Sequence, residues 1–181
     1  QHRSQEDGTA TSIFRLSNTA IELLAPAGDG PVGKRIREIL GEREGKFSSL
    51  VFGTSDINDA HYYLHRRGMR PGDVIRQAAT SMGQTRQWAR FKCDAPDAGD
   101  VKLFLIQQEQ GSLPYMGAAK SAASRLDHVV VNSGNPHRAM ATYGARLGLD
   151  LALDRTNEKW GARFLFFRTD DLTVEVVQRL D

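Results

Sequence analysis

The feature that most constrains this chain is an internal repeat. The order strand, helix, strand, strand, strand is read over 47–107 and again over 126–178. In the first copy, Gly53-Thr54-Ser55-Asp56 is a turn ending in a helix N-cap. The helix 57–67 carries Ala60, Tyr63 and Leu64 on one face and stops at Gly68, with Pro71 and Gly72 just beyond. Strands are expected at 74–79, 87–93 and 101–107. In the second copy, a strand at 126–131 is followed by the turn Ser133-Gly134-Asn135-Pro136. A helix over 137–147 follows, capped by Gly148, then strands at 149–154, 162–168 and 173–178. The period is roughly 60–80 residues.

A βαβββ module has one apolar sheet face that a second module must cover. The segments 12–16 and 20–24, joined by Ser17-Asn18-Thr19, read as the last two strands of an earlier copy. A helix is expected over 31–41, with Ile36, Ile39 and Leu40 on its apolar face. The first seven residues read as a frayed tail. The expected organisation is therefore a domain over 8–112, made of a partial first module (12–24) and a complete second (47–107). A Gly/Ala/Ser-rich connector, 113–125, leads to a third module, 126–181, whose partner is missing. The chain does not begin with Met. Either a longer protein holds four modules, or a second chain, for instance in a homodimer, supplies the complement.

Composition narrows the function classes. A net charge of +2 over 181 residues argues for neither a nucleic acid nor a membrane surface as partner. No apolar run approaches the roughly 20 residues that a bilayer span needs, and the first residues form no signal peptide. The single cysteine, Cys93, excludes an internal disulfide framework and fits a reducing cytoplasm. Cys93 alternates with Phe91 and reads as a packed thiol.

Two polar residues sit where they are costly. His128 lies among valines in Leu126-Asp127-His128-Val129-Val130-Val131, and Glu175 lies among valines in Val174-Glu175-Val176-Val177. An imidazole and a carboxylate on apolar strands need partners. A divalent metal satisfies both. A strand histidine bonded to a neighbour, and a glutamate facing solvent, are the plain alternatives.

The stretches "LDHVVV", "AMATYGARLGLDL" and "VEVVQ" resemble one module of the vicinal oxygen chelate superfamily. That group includes glyoxalases, extradiol dioxygenases, methylmalonyl-CoA epimerase and bleomycin-resistance proteins. The resemblance implies an α+β fold in which repeated βαβββ modules pair into curved mixed sheets with helices outside. It implies a metal ligand on the first strand of a module and a glutamate on the last, which are His128 and Glu175 in the third module. In the second module those positions hold Ser49 and Phe104, neither a typical ligand. In the partial first module the last-strand position is Glu22, a candidate catalytic base if it faces a closed cavity.

The implied function is that of a metal-dependent lyase, isomerase or dioxygenase acting on a small molecule with vicinal oxygens. Imidazole and carboxylate ligands suit Zn, Ni, Fe or Mn alike. The competing implication is a metal-free, drug-sequestering binding protein of the bleomycin-resistance kind. Arg90 and Arg168, on inner strands beside aromatic residues, are candidates for binding an anionic substrate. Trp160, in a loop between strands, is a candidate to close over it.

Overall fold

The structure is a computed structural model that describes residues 2–81, 83–94, 101–113, 122–170 and 172–180. By contacts the chain forms two compact units, residues 1–47 with 113–125, and residues 48–112 with 126–181.

The first unit is a three-stranded antiparallel sheet with one helix. Strands β1 (His2–Ser4), β2 (Thr9–Arg15) and β3 (Ala20–Pro26) lie in that order. Helix α1 (Pro31–Leu40) starts on a proline, whose fixed φ suits the first helical position. Its Gly33 N–H donates to the Asp7 carbonyl at 2.8 Å. The two segments approach so closely that a Cβ on Gly33 would lie 2.2 Å from the Gly8 oxygen. The segment read from sequence as a frayed tail is thus corrected, because His2–Ser4 pairs with Thr9–Thr11 across a turn held by Ser4 and Asp7. Polar alternation gave no hydrophobic signal for that strand.

The second unit contains both complete modules. Strand β4 (Ser49–Gly53) leads to α2 (Ile57–Arg66), whose N-cap Asp56 accepts from the Asn58 and Asp59 N–H groups at 2.8 and 3.0 Å. The two-residue β5 (Arg70–Pro71) follows, then β6 (Ile75–Ser81), β7 (Gln84–Asp94) and β8 (Lys102–Gln110). The third module begins with β9 (His128–Asn132). Helix α3 (Pro136–Ala139) runs on through Met140–Arg146 with wider turns, so that the Leu147 N–H reaches the Thr142 carbonyl at 2.9 Å. Strands β10 (Asp150–Asn157), β11 (Ala162–Arg168) and β12 (Thr173–Arg179) complete it.

The two modules share one topology. The first strand of each runs parallel to the last, β4 beside β8 and β9 beside β12, and the remaining pairs are antiparallel. The result is α+β, with mixed sheets, few helices and no closed barrel among the described residues.

One core joins both modules. Ala89, Phe91 and Cys93 of β7 and Leu103 and Leu105 of β8 are buried with Ile57 and Leu64 of α2. The same cluster continues through Leu165 and Phe167 of β11, Val174 and Val176 of β12, and Tyr143, whose ring lies 5.6 Å from that of Phe167. The second module packs with the third, while the first hairpin belongs to the other unit. The reason is that the helix-side faces of modules two and three bury their large residues together. No helix among the described residues is long and apolar enough to cross a membrane.

Two buried groups carry a pH signature. Burial, followed by the Asp94 carboxylate, pushes the Cys93 thiol up to about 11. Burial alone pushes the Tyr143 phenol up to about 12. Cys93 is thus a packed, inert thiol. The neutral forms are favoured in the fold, so their contribution is full below the unfolded values near 9 and 10 and is lost as pH rises through about 11 and 12. Denaturant midpoints should fall steadily from pH 9 to 12, and Tyr143→Phe should flatten the upper part of that fall. Because the buried Tyr143 hydroxyl has no partner among the described residues, the same variant should be as stable as the wild type or more so at pH 7. Phe167→Ala should cost about 3–5 kcal/mol in equilibrium unfolding, whereas Val130→Ala, on the exposed face of β9, should cost less than about 1 kcal/mol.

Candidate functional site

The side of the third module's sheet away from α3 is built by strand register. Reading across β9, β12 and β11, His128 stands in line with Thr173 and Arg168, and Val130 with Glu175 and Phe166. Side chains alternate along a strand, so residues two apart share a face. With Val174 and Val176 committed to the core, Glu175 is directed to the opposite face together with His128 and Arg168.

The two costly residues meet there. His128 Nε2 lies 3.4 Å from Glu175 Oε2. The histidine side chain is 44% exposed and the glutamate 13%, so the carboxylate is the more enclosed of the two. On the other side of the imidazole, Nδ1 lies 3.0 Å from Asp127 Oδ2. Asp127 thus takes the Nδ1 edge of the ring, and Nε2 is the nitrogen turned to the Glu175 side. Asp127 stood beside His128 in the sequence, but its orienting contact had no spacing signature.

Glu175 also lines a cavity of about 400 Å³. Its far wall comes from β10 as Leu153, Arg155 and Asn157, and its floor from Phe164 and Phe166 of β11. Trp160 completes it. A register shift between Leu151 and Leu153 creates this wall. Leu151 pairs with the buried Phe167, whereas Leu153 pairs with Phe166 on the cavity side. The extra residue turns Leu153, Arg155 and Asn157 onto the open face, as a bulge does. The neighbouring Asp154 then faces the helix side. There Arg163 donates to both its oxygens at 2.8 and 2.7 Å, and those hydrogen bonds hold the Asp154 carboxyl below its usual range.

Trp160 is 67% exposed yet fixed in place. Its backbone N–H donates to Asn157 Oδ1 at 3.3 Å, Gly161 takes the left-handed φ of +56° that closes the turn, and its ring meets Phe164 edge-on at 5.9 Å.

The remaining sequence-derived candidates are not among the residues that line this cavity. Arg168 is exposed on the same face, in line with His128, but does not line the cavity. Arg90 is exposed on β7 of the other sheet, its guanidinium 5.9 Å from the Phe104 ring. Glu22 is exposed on β3 of the first unit, opposite Ile13. The second module places Ser49 and Phe104 at register positions matching His128 and Glu175, the first residue of its first strand and the third of its last. Sequence reasoning missed Leu153, Arg155 and Asn157, because the alternation of Leu151 with Leu153 hides the bulge. Phe164 and Phe166 were open to discovery, since they alternate with Arg168.

An imidazole nitrogen and a carboxylate oxygen 3.4 Å apart form a donor set that borderline divalent ions accept. Among the described residues no group of three metal-ligating side chains gathers. His128 and Glu175 thus fit as two ligands, with the others to come from elsewhere.

No family model matches the chain, and no curated protein does. Solved structures do. A hypothetical protein from Staphylococcus aureus superimposes with a TM-score of 0.69 at 16% identity, over 96% of this chain and 73% of that one. A mutant of 4-hydroxymandelate synthase from Streptomyces coelicolor superimposes with a TM-score of 0.60 at 17% identity, over 93% of this chain. This chain spans half the length of that enzyme, 50%. A glyoxalase family protein from Bacillus cereus aligns with a TM-score of 0.46 at 11% identity, over 78% and 99% of the two chains. At these identities the likeness is one of fold, shared with the Staphylococcus aureus protein and the 4-hydroxymandelate synthase over more than nine-tenths of this chain.

Proposed function

We propose that this chain, on that fold, contributes to a metal-dependent enzyme acting on a small molecule with vicinal oxygens, as a lyase, isomerase or dioxygenase. His128 and Glu175 are two of the metal's protein ligands. The observation that carries the reading is their convergence, Nε2 to Oε2 at 3.4 Å, with Glu175 itself lining an aromatic-walled cavity. A bound divalent ion would supply Lewis-acid polarisation of two adjacent substrate oxygens. Asp127 holds the imidazole in the tautomer that leaves Nε2 unprotonated, the role an outer carboxylate plays beside metal-bound histidines. Phe164, Phe166 and Trp160 exclude water from the Glu175 side and orient the substrate. Glu22 is kept in the proposal as a base only if a second module encloses it.

The competing reading is a metal-free binder of the drug-sequestering kind. The observation favouring it is that the described residues supply two metal ligands and no third, next to a cavity that is mostly apolar.

Elemental analysis of the purified protein separates the two. The enzyme reading expects a stoichiometric transition metal that His128→Ala abolishes without loss of fold. A protein that takes up no metal, or an alanine variant that retains it, contradicts that reading. Asp127→Asn should weaken metal affinity by about 10- to 100-fold in a chelator competition, with the circular dichroism spectrum unchanged.

A further inference from the structure

The cavity beside Glu175 is polarised from one end to the other. Its β12 end holds the Glu175 carboxylate and its β10 end holds Arg155 and Asn157. Between them lie the rings of Phe164 and Phe166, with Trp160 at the rim. Strand β11 separates β10 from β12, so at about 4.8 Å per strand the two ends are roughly 10 Å apart. That is about the length of a small fused-ring aromatic with a substituent at each end.

The β10 end is short of an anion. Asp154, next in sequence to Arg155, faces the other side of the sheet and is taken by both donors of Arg163. Among the described residues Arg155 makes no ion pair, and its side chain is exposed. Asn157 Oδ1 is used as an acceptor by the Trp160 N–H. With Oδ1 so used, the NH2 of this cavity-lining residue is the group left to donate. A guanidinium fork and an amide NH2 two residues apart on one strand face form a donor pair suited to a carboxylate or similar oxyanion. The exposed Trp160 ring, pinned by its turn and by Phe164, offers a preorganised flat surface.

We infer that this cavity takes a flat aromatic compound bearing an anionic group at the end remote from Glu175, with Arg155 as the residue that selects for that charge. The inference rests on the proposed function only in taking the Glu175 end as the reacting end. Binding of the ring and of the anion requires no metal. The ligand lies along the line from β12 to β10. Its anionic group meets Arg155 and Asn157, its ring lies on Phe164 and Phe166 under Trp160, and its oxygen substituents face Glu175 and His128.

The test uses metal-free protein in the presence of a chelator. The probes are 6-hydroxy-2-naphthoate and its uncharged counterpart 6-hydroxy-2-naphthamide. The readout is the indole N–H resonance of Trp160, distinguished from that of Trp88 by its loss in Trp160→Phe. The naphthoate should bind at least about tenfold more tightly than the amide at low salt. Arg155→Gln should abolish that preference, bringing the naphthoate's affinity down to that of the amide, and Arg155→Lys should retain part of it. Absence of naphthoate binding, equal affinities in the wild type, a preference that survives Arg155→Gln, or a response confined to Trp88 would each overturn the inference. A protein that takes up no metal but shows the Arg155-dependent preference would remove the metal reading and leave this one standing. The reverse result would do the opposite.

Discussion

The parallel ladder between β9 and β12 is the constraint on which the rest of this site depends. It sets His128 level with Thr173 and Val130 level with Glu175. Because the side-chain period of a strand is two, a slip of one residue would send Glu175 into the core and Val174 and Val176 out of it. The apolar burial of those two valines, each worth about 1.5–3 kcal/mol, therefore holds a carboxylate on the open face. The same ladder, repeated between β4 and β8, is the signature that makes the two modules copies of one another.

Two ladders of matching register carry different side chains. Module two presents Ser49 and Phe104 where module three presents His128 and Glu175. The helix-side residues of both modules, from Phe91 and Leu103 to Phe167 and Val176, serve a common core. What differs is confined to the faces that the core does not use. That separation lets one module keep a polar pair while its neighbour has none, with no cost to packing.

The repeat, the two helices and the direction of Glu175 were legible in the sequence because each follows from a periodicity. Asp56 before a helix and alternation around Val174 and Val176 are local signals, and the structure places those elements where the signals lie. The features that were not legible arise from pairing rather than pattern. Strand β1 owes its existence to hydrogen bonds with β2 and carries no apolar alternation. The bulge in β10 reverses the faces of Leu153, Arg155 and Asn157 within a sequence whose alternation looks unbroken. The core shared by modules two and three depends on burial summed over many residues. The residues of the cavity wall were hidden for that reason, while the polar pair opposite them stood out by its cost.

On the proposed function, His128 and Glu175 face each other in order to share a divalent ion. Anomalous diffraction from crystals of the protein loaded with zinc, collected above and below the absorption edge, tests it most directly. The expected result is a single strong peak within bonding distance, about 2.0–2.2 Å, of both His128 Nε2 and Glu175 Oε2. A loaded protein in which the peak lies elsewhere, with the imidazole and carboxylate still paired to each other, would contradict the account.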